Sequence, residues 1–225
     1  MTHLISATAR CGLQDAGKYL LANELTWANS GNLSTRVGPE RFLITATGAF
    51  LGNLEESDFV ECAFDGSYTH PQGQRPSKEA PMHRAIYALR PEINAVLHAS
   101  PLHSTLVSAA QIAVPSDWFV EGMYYLERVA RVPYCHPGSA ALAEAVGAQA
   151  LTANVLLLEN HGVLVYDTNI QEALAGLHTL ELACRMALLA HSAALPMRPV
   201  ASDQVTDFLE HSGYRPRRRW LTRNR

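Results

Sequence analysis

The sequence predicts an α/β domain built on one mixed, mainly antiparallel sheet with helices packed on it. Three observations carry this. Short apolar runs of strand length alternate with longer stretches at helical spacing along the 225 residues. Several neighbouring runs look hairpin-linked, which argues against a doubly wound parallel sheet. Hydrophobic residues make up 48% of the chain and charged residues 17%, enough apolar surface for a sizeable core.

The elements follow in order. Residues 4–24 set Leu4, Ala7, Cys11, Leu20 and Leu21 at helical spacing. The turn-rich stretch WANSGNLSTRV leads into a short strand. Arg41 to Thr45 reads as a strand stopped by the turn at Thr47-Gly48, and Phe59 to Phe64 as another, followed by the hairpin signal Asp65-Gly66. After a polar loop, Ser77 is placed to cap a helix on which Met82, Ile86 and Leu89 recur. Asn94 to His98 is a short apolar run ending in histidine, and Pro101 can open the helix after it. Pro137-Gly138 precedes a helix over 139–151. Asn154 to Leu158 reads as a buried strand, Asn160-His161-Gly162 as a tight turn, and Val163 to Tyr166 as the partner strand. Residues 170–191 form a long amphipathic helix. With no internal repeat and no long linker, residues 1–200 read as one domain and 201–225 as a basic tail.

Composition excludes several classes. A net charge of -3, with ten histidines uncounted, argues against bulk nucleic-acid binding. The first residues lack the apolar core of a signal peptide, and no uninterrupted apolar run approaches the roughly 18 residues of a membrane span. Cys11, Cys62, Cys135 and Cys184 are dispersed and form no CxxC pair. Such thiols point to a reduced, cytoplasmic protein and away from a cysteine-built zinc site. The tail carries Arg215, Arg217, Arg218, Arg219, Arg223 and Arg225. It reads as a solvated segment, or as one that folds onto a neighbouring subunit or an anion.

Four polar clusters have chemical potential, and each has a plain structural alternative. Gly31-Asn32-Leu33-Ser34 permits close backbone approach and offers an amide donor to an anion; alone it is an ordinary turn. Thr45-Ala46-Thr47-Gly48 sets hydroxyls and N–H groups at a strand end, where phosphate oxygens bind; alone it too is a turn. Pro76-Ser77-Lys78-Glu79, followed by His83, gathers a hydroxyl, an ammonium and a carboxylate at a helix start, equally readable as a well-capped surface helix. His98 and His161 each end an apolar run, and imidazole at a strand end is a good zinc ligand.

Taken in order, GNLS, ITATG, PSKE, the strand-ending His98 and LLLENHG resemble the class II aldolase/adducin family over roughly residues 10–195. The family includes L-fuculose-phosphate aldolase, L-ribulose-phosphate 4-epimerase and the non-catalytic adducins. The resemblance implies a three-layer α/β domain with helices on both faces of its sheet. It implies a cytoplasmic homotetramer with sites between subunits, and one divalent metal per subunit, zinc first and manganese or magnesium next. Gly31, Asn32, Thr47, Gly48 and Ser77 fall on the phosphate-binding positions, with Lys78 where the family's aldolases have a second serine. Glu79 falls on the residue that moves the proton, and His98 and His161 fall on metal ligands. The second histidine of the family's HxH pair is Ser100 here, so the remaining ligand is open among Glu79, His103, Glu121, His136 and water. Tyr214 stands where a family tyrosine reaches a neighbour's site, with the Gly-Tyr order reversed. The implied reaction is aldol cleavage or condensation of a small phosphorylated ketose through a metal-stabilised enediolate. The alternatives are decarboxylation of a 3-oxo sugar acid phosphate, which Lys78 suits, and a non-catalytic scaffold.

Overall fold

A computed structural model describes residues 2–70, 72–110, 112–213 and 220. Eight strands form one sheet: β1 (Asn32–Gly38), β2 (Arg41–Thr45), β3 (Phe59–Ala63), β4 (Tyr68–Thr69), β5 (Ala95–Ala99), β6 (Val129–Val132), β7 (Val155–Leu158) and β8 (Gly162–Asp167). Their order is β4-β3-β2-β1-β5-β8-β7-β6. Every neighbouring pair is antiparallel except β6 with β7. The predicted mixed, mainly antiparallel sheet is therefore the one that forms.

The helices are α1 (Thr2–Ala22), α2 (Ala80–Leu89), α3 (Leu102–Ala109), α4 (Val120–Tyr125), α5 (Ala140–Ala150), α6 (Ile170–Ser192) and α7 (Ser202–His211). Strand alternation sends successive side chains to opposite faces. On β7 and β8, Val155, Leu157, Val163 and Val165 join one core with Leu13 and Leu20 of α1, Val107 of α3 and Leu177 and Leu180 of α6. Leu156, Leu158, Leu164 and Tyr166 join a second core with Met82, Ile86 and Tyr87 of α2 and Leu142 and Val146 of α5. Two cores on one sheet make three layers. Both β7 and β8 are buried along their whole length, so they read as continuous apolar runs rather than alternating ones. Helix α6 has the length and apolarity of a membrane span, but half of that stretch is buried inside the protein.

The elements that sequence reasoning missed are short or polar. These are β4, which lies in the stretch read as a polar loop, β6, the six-residue α4, and α7, which lies within the segment taken as tail. Trp220 returns to the same chain: its indole N–H donates to Glu127 Oε1 at 2.9 Å, and Arg90 and Arg128 lie over its ring. Tyr214 and the six tail arginines lie outside the described residues. One cap is corrected. The residue at the N-cap of α2 is Glu79, with Pro81 in the first turn. Ser77 lies two residues earlier, and its hydroxyl accepts the Glu79 N–H at 3.2 Å.

Candidate metal centre and active site

The site forms where three loops meet the middle of the sheet. Asn32 opens β1 directly opposite His98 on β5. The strap before α2 is pinned to the end of β2: Ser77 N–H donates to Thr45 O at 3.1 Å, and Thr47 N–H to Arg75 O at 3.0 Å. This holds Glu79 over the sheet, 11% exposed. The turn between β7 and β8 brings in His161. Two glycines make the approach possible. A Cβ on Gly31 (φ +85) would lie 2.3 Å from His98 O, and one on Gly162 (φ +152) 2.6 Å from Ala99 O.

Glu79, His98 and His161 offer ligand atoms that all lie within 4.8 Å of one another, the one such group among the described residues searched. His98 Nε2 is 3.3 Å from Glu79 Oε2, and His161 Nε2 is 3.1 Å from Glu79 Oε1. His98 Nδ1 lies 2.9 Å from Val163 O, an atom that only accepts, so the imidazole proton sits on Nδ1. Burial holds His98 below its ordinary pKa and keeps it neutral, although the Glu79 charge pulls the other way. Its Nε2 lone pair therefore faces a carboxylate oxygen with no proton between them.

The opposite oxygen is also short of a partner. The His161 ring is not aligned to aim a hydrogen bond at Glu79 Oε1, which stays buried without a donor, as does His161 Nδ1. Burial raises the Glu79 carboxyl, but the close His161 imidazole, the electrostatic pull of the two histidine rings and the Asn32 amide outweigh it and hold the group at about 2. A carboxylate and two imidazole nitrogens converging within 4.8 Å, one of them a bare lone pair, are a donor set that suits a divalent cation.

A model of the class II aldolase and adducin N-terminal domain matches residues 11–188. The chain belongs to the class II aldolase/adducin family. A 3-oxo-tetronate 4-phosphate decarboxylase of Haemophilus influenzae is 34% identical over 170 residues, 73% of this chain and 80% of that one. An L-fuculose phosphate aldolase of Escherichia coli is 31% identical over 186 residues, 83% and 85% of the two chains. The solved structure of YgbL from Klebsiella pneumoniae, described as an aldolase, epimerase or decarboxylase, superposes with a TM-score of 0.81 at 27% identity, covering 90% of this chain and 98% of that one.

Ser100, in the place of the missing histidine, and three of the candidates for the remaining ligand lie outside the cluster. Ser100 turns away from any ligand role: its hydroxyl donates to His161 O at 3.2 Å. His103 is taken up by Glu181, whose Oε1 lies 2.7 Å from its Nδ1. Glu121 in the first turn of α4 and His136 are exposed, and neither joins the cluster. Glu79 is thus the one candidate of the four side chains that meets both histidines. In the phosphate set, Thr47 has given its N–H to Arg75, leaving its hydroxyl, and Gly48 (φ +80) is open on its Cβ side. Asn32 is bound to Glu79 at 2.8 Å and His83 at 2.6 Å. Lys78 is exposed and has no hydrogen bond or ion pair among the described residues.

Sequence reasoning singled out His83 but gave it no task, and passed over Tyr87. His83 is fully buried, with Nδ1 2.7 Å from Ser34 Oγ, which is 2.8 Å from the Tyr87 hydroxyl. A signal was present: Glu79, His83 and Tyr87 recur every four residues, one helix face, and Asn32 and Ser34 alternate, one strand face.

Proposed function

We propose that this protein breaks a carbon–carbon bond beside a carbonyl in a small phosphorylated sugar or sugar acid. The observation that carries the reading is the Glu79–His98–His161 cluster, set beside a helix start that bears Lys78, which has no ion pair among the described residues. His98 and His161, with Glu79 when no substrate is bound, would hold a divalent cation, zinc first and manganese or magnesium next. When bound, that cation supplies a Lewis acid for the negative charge that develops as the bond breaks. Glu79 Oε1, which has no donor of its own, is the atom that takes or gives the proton. Ser77, the Thr47 hydroxyl, the Gly48 N–H and the Gly31–Asn32 turn position the phosphate, with the α2 N-terminus favouring its charge.

Two forms of the reaction fit this arrangement. Aldol cleavage of a ketose phosphate leaves dihydroxyacetone phosphate and an aldehyde. Decarboxylation of a 3-oxo sugar acid phosphate is the form Lys78 favours, because a free ammonium matches a substrate carrying a second anion. Purified protein with zinc or manganese should release carbon dioxide from 3-oxo-tetronate 4-phosphate. Release of dihydroxyacetone phosphate from L-fuculose phosphate instead would assign the aldolase form. Turnover of neither substrate, together with no bound metal, would overturn both in favour of a non-catalytic scaffold. The assembly is proposed to be a homotetramer with Tyr214 and the arginine-rich end near a neighbouring subunit. A monomer by light scattering at micromolar concentration would count against it.

A further inference from the structure

Beneath the proposed centre runs a line of buried polar side chains, and no step of the reaction uses His83, Ser34 or Tyr87 on it. Its hydrogen-bond directions can be worked out from one end. A carboxylate only accepts, so the Asn32 amide NH₂ donates to Glu79 Oε2 at 2.8 Å. Asn32 Oδ1 therefore faces His83 Nε2 at 2.6 Å, and because an amide oxygen only accepts, His83 carries its proton on Nε2. A neutral imidazole has one N–H, so Nδ1 accepts from the Ser34 hydroxyl at 2.7 Å. Ser34 has no second proton, so its oxygen accepts from Tyr87 at 2.8 Å.

Every donor from Tyr87 onward points toward Glu79. Turning the Asn32 amide over would set its oxygen against the carboxylate and its NH₂ against the Nε2–H of His83, two repulsions in a buried setting. The order of donors leaves Asn32 one orientation, and in that orientation its NH₂ holds Glu79 Oε2.

We propose that His83 is a positioning residue: acting through Asn32, it keeps Glu79 turned toward His98 and His161 and so sets the affinity of that cluster for a divalent cation. The proposal rests on reading the cluster as a metal centre. Groups behind a ligand matter in metal sites because they orient it, and their removal typically costs about 10- to 100-fold in affinity.

Two variants separate the chain of contacts from simple packing. His83→Asn can satisfy Ser34 but is too short to reach Asn32. His83→Gln reaches the Nε2 position and can still donate to Asn32. Zinc affinity, measured by competition with a chromophoric chelator, should fall about tenfold or more for His83→Asn. It should stay close to wild type for His83→Gln. In an Asn32→Ala background, His83→Asn should weaken zinc binding no further, because the path is already cut. Wild-type affinity in folded His83→Asn, or an equal loss in both backgrounds, would overturn the proposal. Should neither His83 variant fold, Tyr87→Phe removes only the hydroxyl at the head of the line, and unaltered zinc affinity there overturns it as well. A readout independent of metal is the imidazole proton of His83 in the metal-free protein: nitrogen NMR should find it on Nε2. Finding it on Nδ1 sinks the proposal, whereas a wild-type protein that binds no zinc sinks the metal reading instead.

Discussion

The two faces of the central strands β1 and β5 are built from opposite materials. Toward α1 and α6 they present Leu33, Ala95, Leu97 and Ala99, all buried in one apolar core. Toward α2 they present Asn32, Ser34 and His98, equally buried but polar, with Val96 of the second core opposite Ser34. The same backbone carries both rows, and period-two alternation keeps them apart. The apolar face gains stability from area removed from water. The polar face is stable only so far as each group finds a partner, and the partners come from α2 with its N-cap Glu79 and, for His98, also from Val163 O of β8. A sheet can thus concentrate a reactive cluster at its centre without opening its core.

The sharpest test of this division is on the polar face. Glu79→Gln should lower turnover by roughly 10²- to 10⁴-fold, the usual scale for losing a general acid–base. Wild-type turnover would remove Glu79 from the mechanism. On the apolar side, Leu177→Ala in α6 should do the reverse. It removes a fully buried side chain from the core and should cost about 2–5 kcal/mol in urea denaturation, with zinc affinity unchanged. A parallel loss of zinc affinity would show that the two faces are not separable.

Acid should find the polar face first. Burial holds His83 down at about 3, opposed only in part by the Glu79 charge. Below its ordinary value of 6.5 the unfolded chain takes up a proton that the native protein refuses. Stability therefore falls as pH drops from about 6.5 toward 3, by roughly 1.4 kcal/mol per pH unit. Between pH 7 and 5 this amounts to about 2 kcal/mol through His83 alone. Glu79, held near 2 against an ordinary 4.5, adds a loss of the same sign at lower pH. Urea midpoints of metal-free protein at the two pH values check it, and His83→Gln should flatten the slope. The smallest effect is expected from Ser100→His, which restores the HxH pair and should tighten zinc binding, at the cost of the Ser100 hydrogen bond to His161 O. Weaker binding would show that the strand end has no room for a second imidazole.

Much of this architecture could be read from the sequence, for reasons that differ by element. The β2 span was set by an apolar pentapeptide between turn signals, and β7, β8 and α6 by long uninterrupted patterns. Strand β6 escaped notice because three of its four residues are only half-buried, and α7 because no residue on it is buried. In the site, Glu79, His98 and His161 were legible because each lies at or beside the end of an element and falls on a motif of the family pattern. What replaces the missing histidine was not. Choosing among Glu79, His103, Glu121 and His136 requires knowing that Glu181 on α6 takes His103 and that the strap before α2 pairs with β2. Those are long-range contacts, and no local pattern encodes them.

The position of β5 has one further consequence. Hydrogen-bonded to β1 on one side and to β8 on the other, it is the seam along which the earlier and later parts of the sheet are joined. His98 lies on that seam, Glu79 belongs to the part before it and His161 to the part after. No two of these residues are neighbours in the chain, so the cluster cannot exist before the seam is closed. A cation held there would act as a clasp across it. At a hundredfold excess over its dissociation constant such a ligand would add about 2.7 kcal/mol to the stability of the closed sheet.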